Sequence, residues 1–243
     1  MYKRQGFRYW KFSHAPRDDW PEGEHDYADW VRENGGDLNA MRASEDNVPR
    51  EFHQTTWATT RAIEFISEER ADQPWMLNIN VYDPHPPFIP PKEYADKFDP
   101  NDMPGPTFEP SDVTAQKKLV EADFQTTSKT PEESNAKEAQ AKYYAMIALI
   151  DDEFGRLMNH LESTGQINNT VVIFTSDHGE TLGDHGLFYK GCRFYEGLTR
   201  VPLIFYAPGR FGEGVECDQL TELLDMSASL LEIAGAETPD HHQ

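Results

Sequence analysis

Residues 170–191 read T-V-V-I-F-T-S-D-H-G-E-T-L-G-D-H-G-L-F-Y-K-G. The first six are mostly β-branched and do not alternate with polar residues, which predicts a strand covered on both faces. The chain then enters a glycine-rich loop, Ser176 to Gly197. Such a strand delivers Asp177 and His178 to its carboxyl end, the place where ligands gather in open α/β sheets.

On either side of this stretch the pattern is consistent. Val201 to Tyr206 (V-P-L-I-F-Y) predicts a further strand, and residues from about Asp218 to Ala234 predict a helix. Upstream, Ala141, Tyr144, Ala145, Ala148, Leu149, Asp152, Phe154, Leu157 and Leu161 recur at helical spacing within Asn135 to Ser163, closed by Gly165. Trp75 to Val81 (W-M-L-N-I-N-V) predicts a strand stopped at Tyr82-Asp83-Pro84, and a helix is expected from Pro49 to Glu69. Strand, long helix, strand, loop, strand, helix is the order of an α/β fold with a mainly parallel sheet flanked by helices. The division expected is an irregular wrapping segment over 1–47, an α/β domain over 48–236 with a loop-rich excursion at 86–133, and a tail at 237–243. A helical turn is expected around Asp112 to Ala122 inside that excursion.

Composition narrows the function. Lys and Arg number 22 against 43 Asp and Glu, a formal net charge of −21, which repels nucleic acid and anionic membranes at long range. No nucleic-acid partner is expected. A local cationic pocket for a small anion survives, because contact with a fixed Lys outweighs a screened global field. An aromatic fraction of 12% argues for a packed core rather than disorder. Cys192 and Cys217 are too few for a disulfide framework and settle no compartment. Met1 to His14 lacks an apolar run, so these residues predict neither a secretory signal nor a membrane span.

Five residues can carry chemistry. Asp177 and His178 put a carboxylate and an imidazole side by side, as a metal site requires; oxygen suits Ca or Mg, and nitrogen admits Zn or Mn. The plainer reading makes Asp177 a turn cap and His178 an ordinary loop residue. His185, in the second D-H-G, either reaches the same pocket or belongs to a turn, while Glu180 reads as a hydrogen-bonded loop carboxylate. Lys190 offers positive charge to a sulfuryl or phosphoryl group, against the common case of a solvated surface lysine. His85 lies between Pro84 and Pro86, which fix the backbone and hence the imidazole. A fixed histidine can protonate a leaving oxygen; the alternative is a buried histidine satisfied by a carbonyl.

Taken together, D-P-H-P-P-F (83–88), P-P-K-E-Y (90–94), T-S-D-H-G-E-T-L-G-D-H-G-L (175–187), Y-K-G (189–191), Y-E-G-L-T-R-V-P-L-I-F (195–205) and L-L-D-M-S-A-S-L-L-E-I-A-G (223–235) resemble the formylglycine-dependent sulfatases of the alkaline-phosphatase-like superfamily. The resemblance implies removal of sulfate from a sulfated small molecule or glycan with a divalent metal, calcium first and magnesium second. It implies that Asp177 and His178 are metal ligands, that Lys190 holds sulfate oxygens, and that His85 contacts sulfate and protonates the departing alcohol. Arg200 and Glu196 match structural positions. The sequence departs from the family's pattern: no window matches C/S-x-P-x-R, so the residue converted to formylglycine is absent from these 243 residues, and the family's paired aspartates and intervening lysine and histidine motifs are missing as well. The isolated chain is therefore expected to be inactive, as a fragment would be. Two alternatives stand beside this reading, a phosphodiesterase or phosphonate hydrolase of the same superfamily and a non-catalytic metal-binding domain.

Overall fold

A computed structural model describes residues 7–70, 73–118 and 128–237. Its elements are α1 (Asp26–Glu33), α2 (Leu38–Ala43), α3 (Gln54–Ser67), α4 (Lys92–Ala95), α5 (Pro110–Lys117), α6 (Pro131–Ser134), α7 (Ala136–Ser163), β1 (Val172–Thr175), α8 (Glu196–Thr199), β2 (Leu203–Tyr206) and α9 (Leu223–Ile233).

The long helix α7 organises the rest. Its buried stripe, Ala141, Ala145, Met146, Leu149, Leu157 and Leu161, follows the helical period expected of it. Gly165, with φ of 71°, ends the element in the left-handed region that glycine enters without a Cβ penalty. Ala62 and Ile66 of α3 pack against Leu157 and Leu161, with Trp75, Leu77, Ile79 and Val172 around them. Burying an aliphatic side chain of this size contributes about 1.5–3 kcal/mol, so this cluster fixes how α3 and α7 cross.

A second cluster joins Tyr27, Ala28, Val31, Leu38, Val48 and Trp57. Residues 26–43 thus form two short helices rather than an irregular wrap, and they share a core with α3. Asp37 caps α2 by accepting the Ala40 N–H, a local signal that the weak apolar periodicity concealed. The excursion is also more regular than its composition suggests, carrying α4, α5 and α6. The turn expected around Asp112 to Ala122 is α5; residues 119–127 lie outside the described ones, as do 238–243 of the tail.

Within the mainly parallel sheet expected, the pair of strands that is seen is an antiparallel one. Among the described residues, β1 and β2 form the sheet, and they run antiparallel with Val172 opposite Tyr206 and Thr175 opposite Leu203. A parallel neighbour requires a crossover helix packed on the sheet. Residues 176–202 supply only short turns and the four-residue α8, so the chain returns in the opposite direction. β1 is half-buried rather than covered on both faces. Trp75 to Val81 is extended, and its exposure alternates residue by residue with Trp75, Leu77 and Ile79 turned inward. That is the geometry of a strand, yet it has no ladder partner among the described residues.

Candidate functional site

The loop after β1 is built on close backbone approach. Gly179 N–H donates to Leu198 O at 2.8 Å and Glu180 N–H to Gly197 O at 3.1 Å. A Cβ at Gly179 would come to 1.9 Å from Gly197 O, which explains the glycine of the first D-H-G. Thr181, buried, donates its hydroxyl to Tyr189 O at 2.7 Å and closes the loop back on itself. Leu182, His185 and Tyr189 all take positive φ, 49°, 55° and 69°. Such conformations in non-glycine residues persist only where surrounding bonds impose them.

This loop brings Lys190 to His85. Lys190 Nζ lies 2.9 Å from His85 Nε2, although the two are separated by 105 residues. On the opposite edge of the ring, His85 Nδ1 is 2.7 Å from Pro86 O. A carbonyl only accepts, so Nδ1 carries the proton and Nε2 presents its lone pair to the ammonium. The ring is held from below by Tyr82, whose centroid is 4.8 Å away and whose hydroxyl also donates to Pro86 O at 2.9 Å. A single donor from Lys190 goes to His85, leaving its remaining N–H bonds for an anion. Sequence reading passed over Tyr82; the Tyr-x-x-His spacing across a proline turn is the signal that would have found it, because His85 N–H closes that turn onto Tyr82 O at 3.0 Å.

Asp177 and His178 lie at the end of β1, as expected. Asp177 Oδ1 accepts the His178 N–H at 3.0 Å, leaving Oδ2 uncommitted. His178 Nδ1 is 2.8 Å from Gly179 O, which assigns the proton to Nδ1 and the lone pair to Nε2. Nε2 and Asp177 Oδ2 then stand 3.8 Å apart, beyond hydrogen-bonding reach. Two acceptors facing each other in this way suit a divalent cation, and a carbonyl-anchored imidazole is how ligating histidines are ordinarily held. Among the described residues no cluster of three His, Cys, Asp or Glu could hold a metal, so Asp177 and His178 stand as a pair.

Burial raises the carboxyl pKa of Glu180, opposed by backbone N–H groups from Thr181, Leu182 and Tyr189. Glu180 is thus a loop-organising carboxylate, as its sequence position suggested. Tyr143 of α7 is pushed up to about 12, first by burial and then by the charge of Glu180, and its ring meets Phe88 at 5.9 Å. Both site loops therefore lean on α7. His185 takes other partners. Its ring stacks on Tyr195 at 4.0 Å, and its Nδ1 is 3.4 Å from Asp112 of α5. With Asp184 accepting the Thr107 N–H at 2.7 Å and His185 N–H donating to Thr107 O at 2.8 Å, the second D-H-G fastens the excursion to the site loop.

Comparison with known proteins bears on this geometry. The chain is 32% identical over 228 residues to an arylsulfatase of Clostridium perfringens (strain 13 / Type A), covering 88% of this chain and 47% of the relative. It is 31% identical over 234 residues to PehA, a multifunctional alkaline phosphatase superfamily protein of Trinickia caryophylli, covering 90% and 45%. The chain therefore spans about half the length of the curated relatives it matches. Among solved structures it resembles the phosphonate monoester hydrolase of Agrobacterium radiobacter with a TM-score of 0.65 and 28% identity, over 78% of this chain and 42% of that one. The fold is accordingly of the alkaline-phosphatase-like α/β type, with two strands of its sheet paired among the described residues. The Sulfatase family model matches residues 1–236, and with that match over nearly the whole length the chain belongs to the sulfatase family, whose members work with a divalent metal and a formylglycine.

Proposed function

We propose that this chain carries part of the site with which a sulfuric ester hydrolase removes sulfate from a sulfated small molecule or glycan. The observation that carries the reading is the 2.9 Å contact between Lys190 Nζ and His85 Nε2. Lys190 offers a point charge and spare N–H donors to the sulfuryl oxygens, which bear the growing negative charge as the ester bond breaks. Lys190 keeps its charge throughout, and His85, taking up a proton from solvent at Nε2, passes it to the departing alcohol oxygen. The proton on Nδ1 stays with Pro86 O throughout and keeps the ring in one orientation.

Asp177 Oδ2 and His178 Nε2 are the atoms that would hold a divalent cation, calcium before magnesium given the carboxylate and the need for a wide coordination sphere. Such an ion supplies Lewis-acid stabilisation of the oxyanion. His185 is the third candidate for substrate contact, approaching from the α5 side of the loop. A glycan is the favoured substrate class because the sequence of residues 1–47 and 86–133 is rich in aromatic and polar groups.

On its own the chain holds no C/S-x-P-x-R window, so it binds the oxyanion without turning an ester over. The test is calorimetry with inorganic sulfate alongside an aryl sulfate assay in Ca or Mg. Sulfate binding abolished by Lys190→Ala and His85→Ala, without turnover, is the expected result. Rapid turnover, or binding that ignores both substitutions, sinks the reading. A phosphoryl substrate is the second reading, favoured by the likeness to a phosphonate monoester hydrolase; inorganic phosphate or methylphosphonate binding at least tenfold more tightly than sulfate would decide for it. The non-catalytic metal-binding reading predicts tight metal uptake without any anion binding at Lys190.

A further inference from the structure

Asp83 is buried, 7% exposed, and so are both groups that meet its carboxylate, Thr55 and His53. Oδ2 accepts the Thr55 hydroxyl at 2.6 Å and lies 3.5 Å from His53 Nδ1. Both partners belong to the start of α3, where His53 is the N-cap and its Nδ1 accepts the Thr55 N–H at 3.4 Å. This is the positive end of a 14-residue helix, so the helix dipole adds to the hydroxyl in holding the negative charge. A carboxylate removed from water costs several kcal/mol unless it is paired in this way. Asp83 therefore cannot leave Thr55 without exposing that cost.

Only Pro84 separates Asp83 from His85, and the His85 N–H returns to Tyr82 O, so the anchored carboxylate sits inside the same tight turn as the ring. Thr55 is itself fixed, because its neighbour Thr56 donates to Glu153 of α7 at 3.2 Å. Position is thus passed from α7 to α3, from α3 to Asp83, and from Asp83 to the imidazole that meets Lys190. We propose that Asp83 is a positioning residue whose bond to Thr55 sets His85 in register with Lys190. The role that follows from this for substrate chemistry rests on the oxyanion reading of Lys190 and His85 given above.

The test uses the full chain with 15N-labelled histidine, His85→Gln providing the assignment. In the parent chain His85 shows the Nδ1–H tautomer with Nε2 as acceptor. Thr55→Val and Asp83→Asn should convert that signal to the tautomer mixture of a free imidazole and weaken inorganic sulfate binding by about tenfold, the effect of losing a single hydrogen bond at the ring. Thr55→Ser, which restores the hydroxyl, should retain both signal and affinity. A merely structural role lowers the melting temperature and leaves the tautomer untouched, so an unchanged His85 signal in folded Thr55→Val and Asp83→Asn overturns the proposal. Loss in Thr55→Ser as large as in Thr55→Val overturns it as well, and this pair decides the matter if Asp83→Asn does not fold. Failure of the parent chain to bind sulfate would refute the oxyanion reading alone, since the ring signal still reports on Asp83.

Discussion

Replacing Glu153 by Ala tests the frame on which both site loops rest. Glu153 is 1% exposed in the middle of α7. Its Oε1 accepts from Arg50 Nε at 3.2 Å and Arg50 Nη2 at 3.0 Å, and from the Thr56 hydroxyl at 3.2 Å. Its Oε2 faces Arg156 Nη1 at 3.2 Å. Truncation leaves a buried hydroxyl and two guanidinium groups without their acceptor. Removing one partner from a buried pair costs about 3–5 kcal/mol. Arg50 and Arg156 keep 38% and 36% of their side chains exposed and can recruit water, which places the loss at the low end, about 3 kcal/mol.

For a chain of this size that corresponds to a melting temperature lower by roughly 6–12 °C, read by circular dichroism. Glu153→Gln keeps the shape and one acceptor oxygen and should lose less, about 1–2 kcal/mol. The Glu153→Ala deficit should also persist in 1 M salt, because ions do not screen a carboxylate shielded from solvent. An alanine variant within about 0.5 kcal/mol of the parent would refute the reasoning, showing that the pairing merely offsets its own desolvation.

Four further outcomes follow from the same structure. Burial holds the pKa of His25 below its ordinary value, so the unfolded state binds a proton before the folded state does; stability is full above about pH 6.5 and falls below it, by at most about 1.4 kcal/mol per pH unit, and His25→Gln should flatten that slope in denaturant titrations. Gly179→Ala forces the loop off Gly197 O and should cost about 2–3 kcal/mol with faster hydrogen exchange at Gly179 and Glu180, whereas Gly155→Ala, a helix position with open space around it, should stabilise by about 0.5–1 kcal/mol. With two protein donors in place of a full sphere, Ca should bind more weakly than about 1 mM by calorimetry and not at all in Asp177→Ala; a dissociation constant below about 10 µM would refute the two-donor site. Because the net charge is −21, association of sulfate with Lys190 should speed up as salt rises from about 10 to 150 mM, and a steady decline in NMR line-shape analysis would show that the local cation governs approach as well as contact.

What the sequence disclosed follows from the range of the interactions involved. α7 was legible almost to the residue, since its periodicity and Gly165 are local. Asp177 and His178 were legible as a strand-end pair, because a buried β-branched run names its own terminus. The direction of β2 was not, since a strand's partner is chosen by the length and content of the connection, and residues 176–202 hold no crossover helix. The helices within residues 26–43 were hidden by a cap and by aromatic contacts with Trp57, which lies beyond them in sequence. The burial of Glu153 has no signal in the sequence, because a carboxylate in an amphipathic helix usually faces solvent. Arg50, from a segment 103 residues away, makes its burial tolerable together with Thr56 and Arg156.

The meeting of Lys190 with His85 has the same character. Neither loop carries enough apolar surface to fix its own shape: the His85 turn is proline-bounded, and the Lys190 loop contains three non-glycine residues with positive φ. Each is held instead by polar bonds to the helical layer or to itself, Asp83 to Thr55, Thr181 to Tyr189, His185 to Asp112. Such bonds are directional, so they specify angles that apolar packing leaves free. A site for an oxyanion on a chain of net charge −21 depends on that precision. On the proposed reading the global field opposes the ligand, and a lysine held at a fixed point beside His85 is what reverses the sign of the potential over the few ångströms of a bound sulfate. That reading predicts that residues remote from the chemistry, Thr55 and Glu153 among them, affect binding through the angles they set.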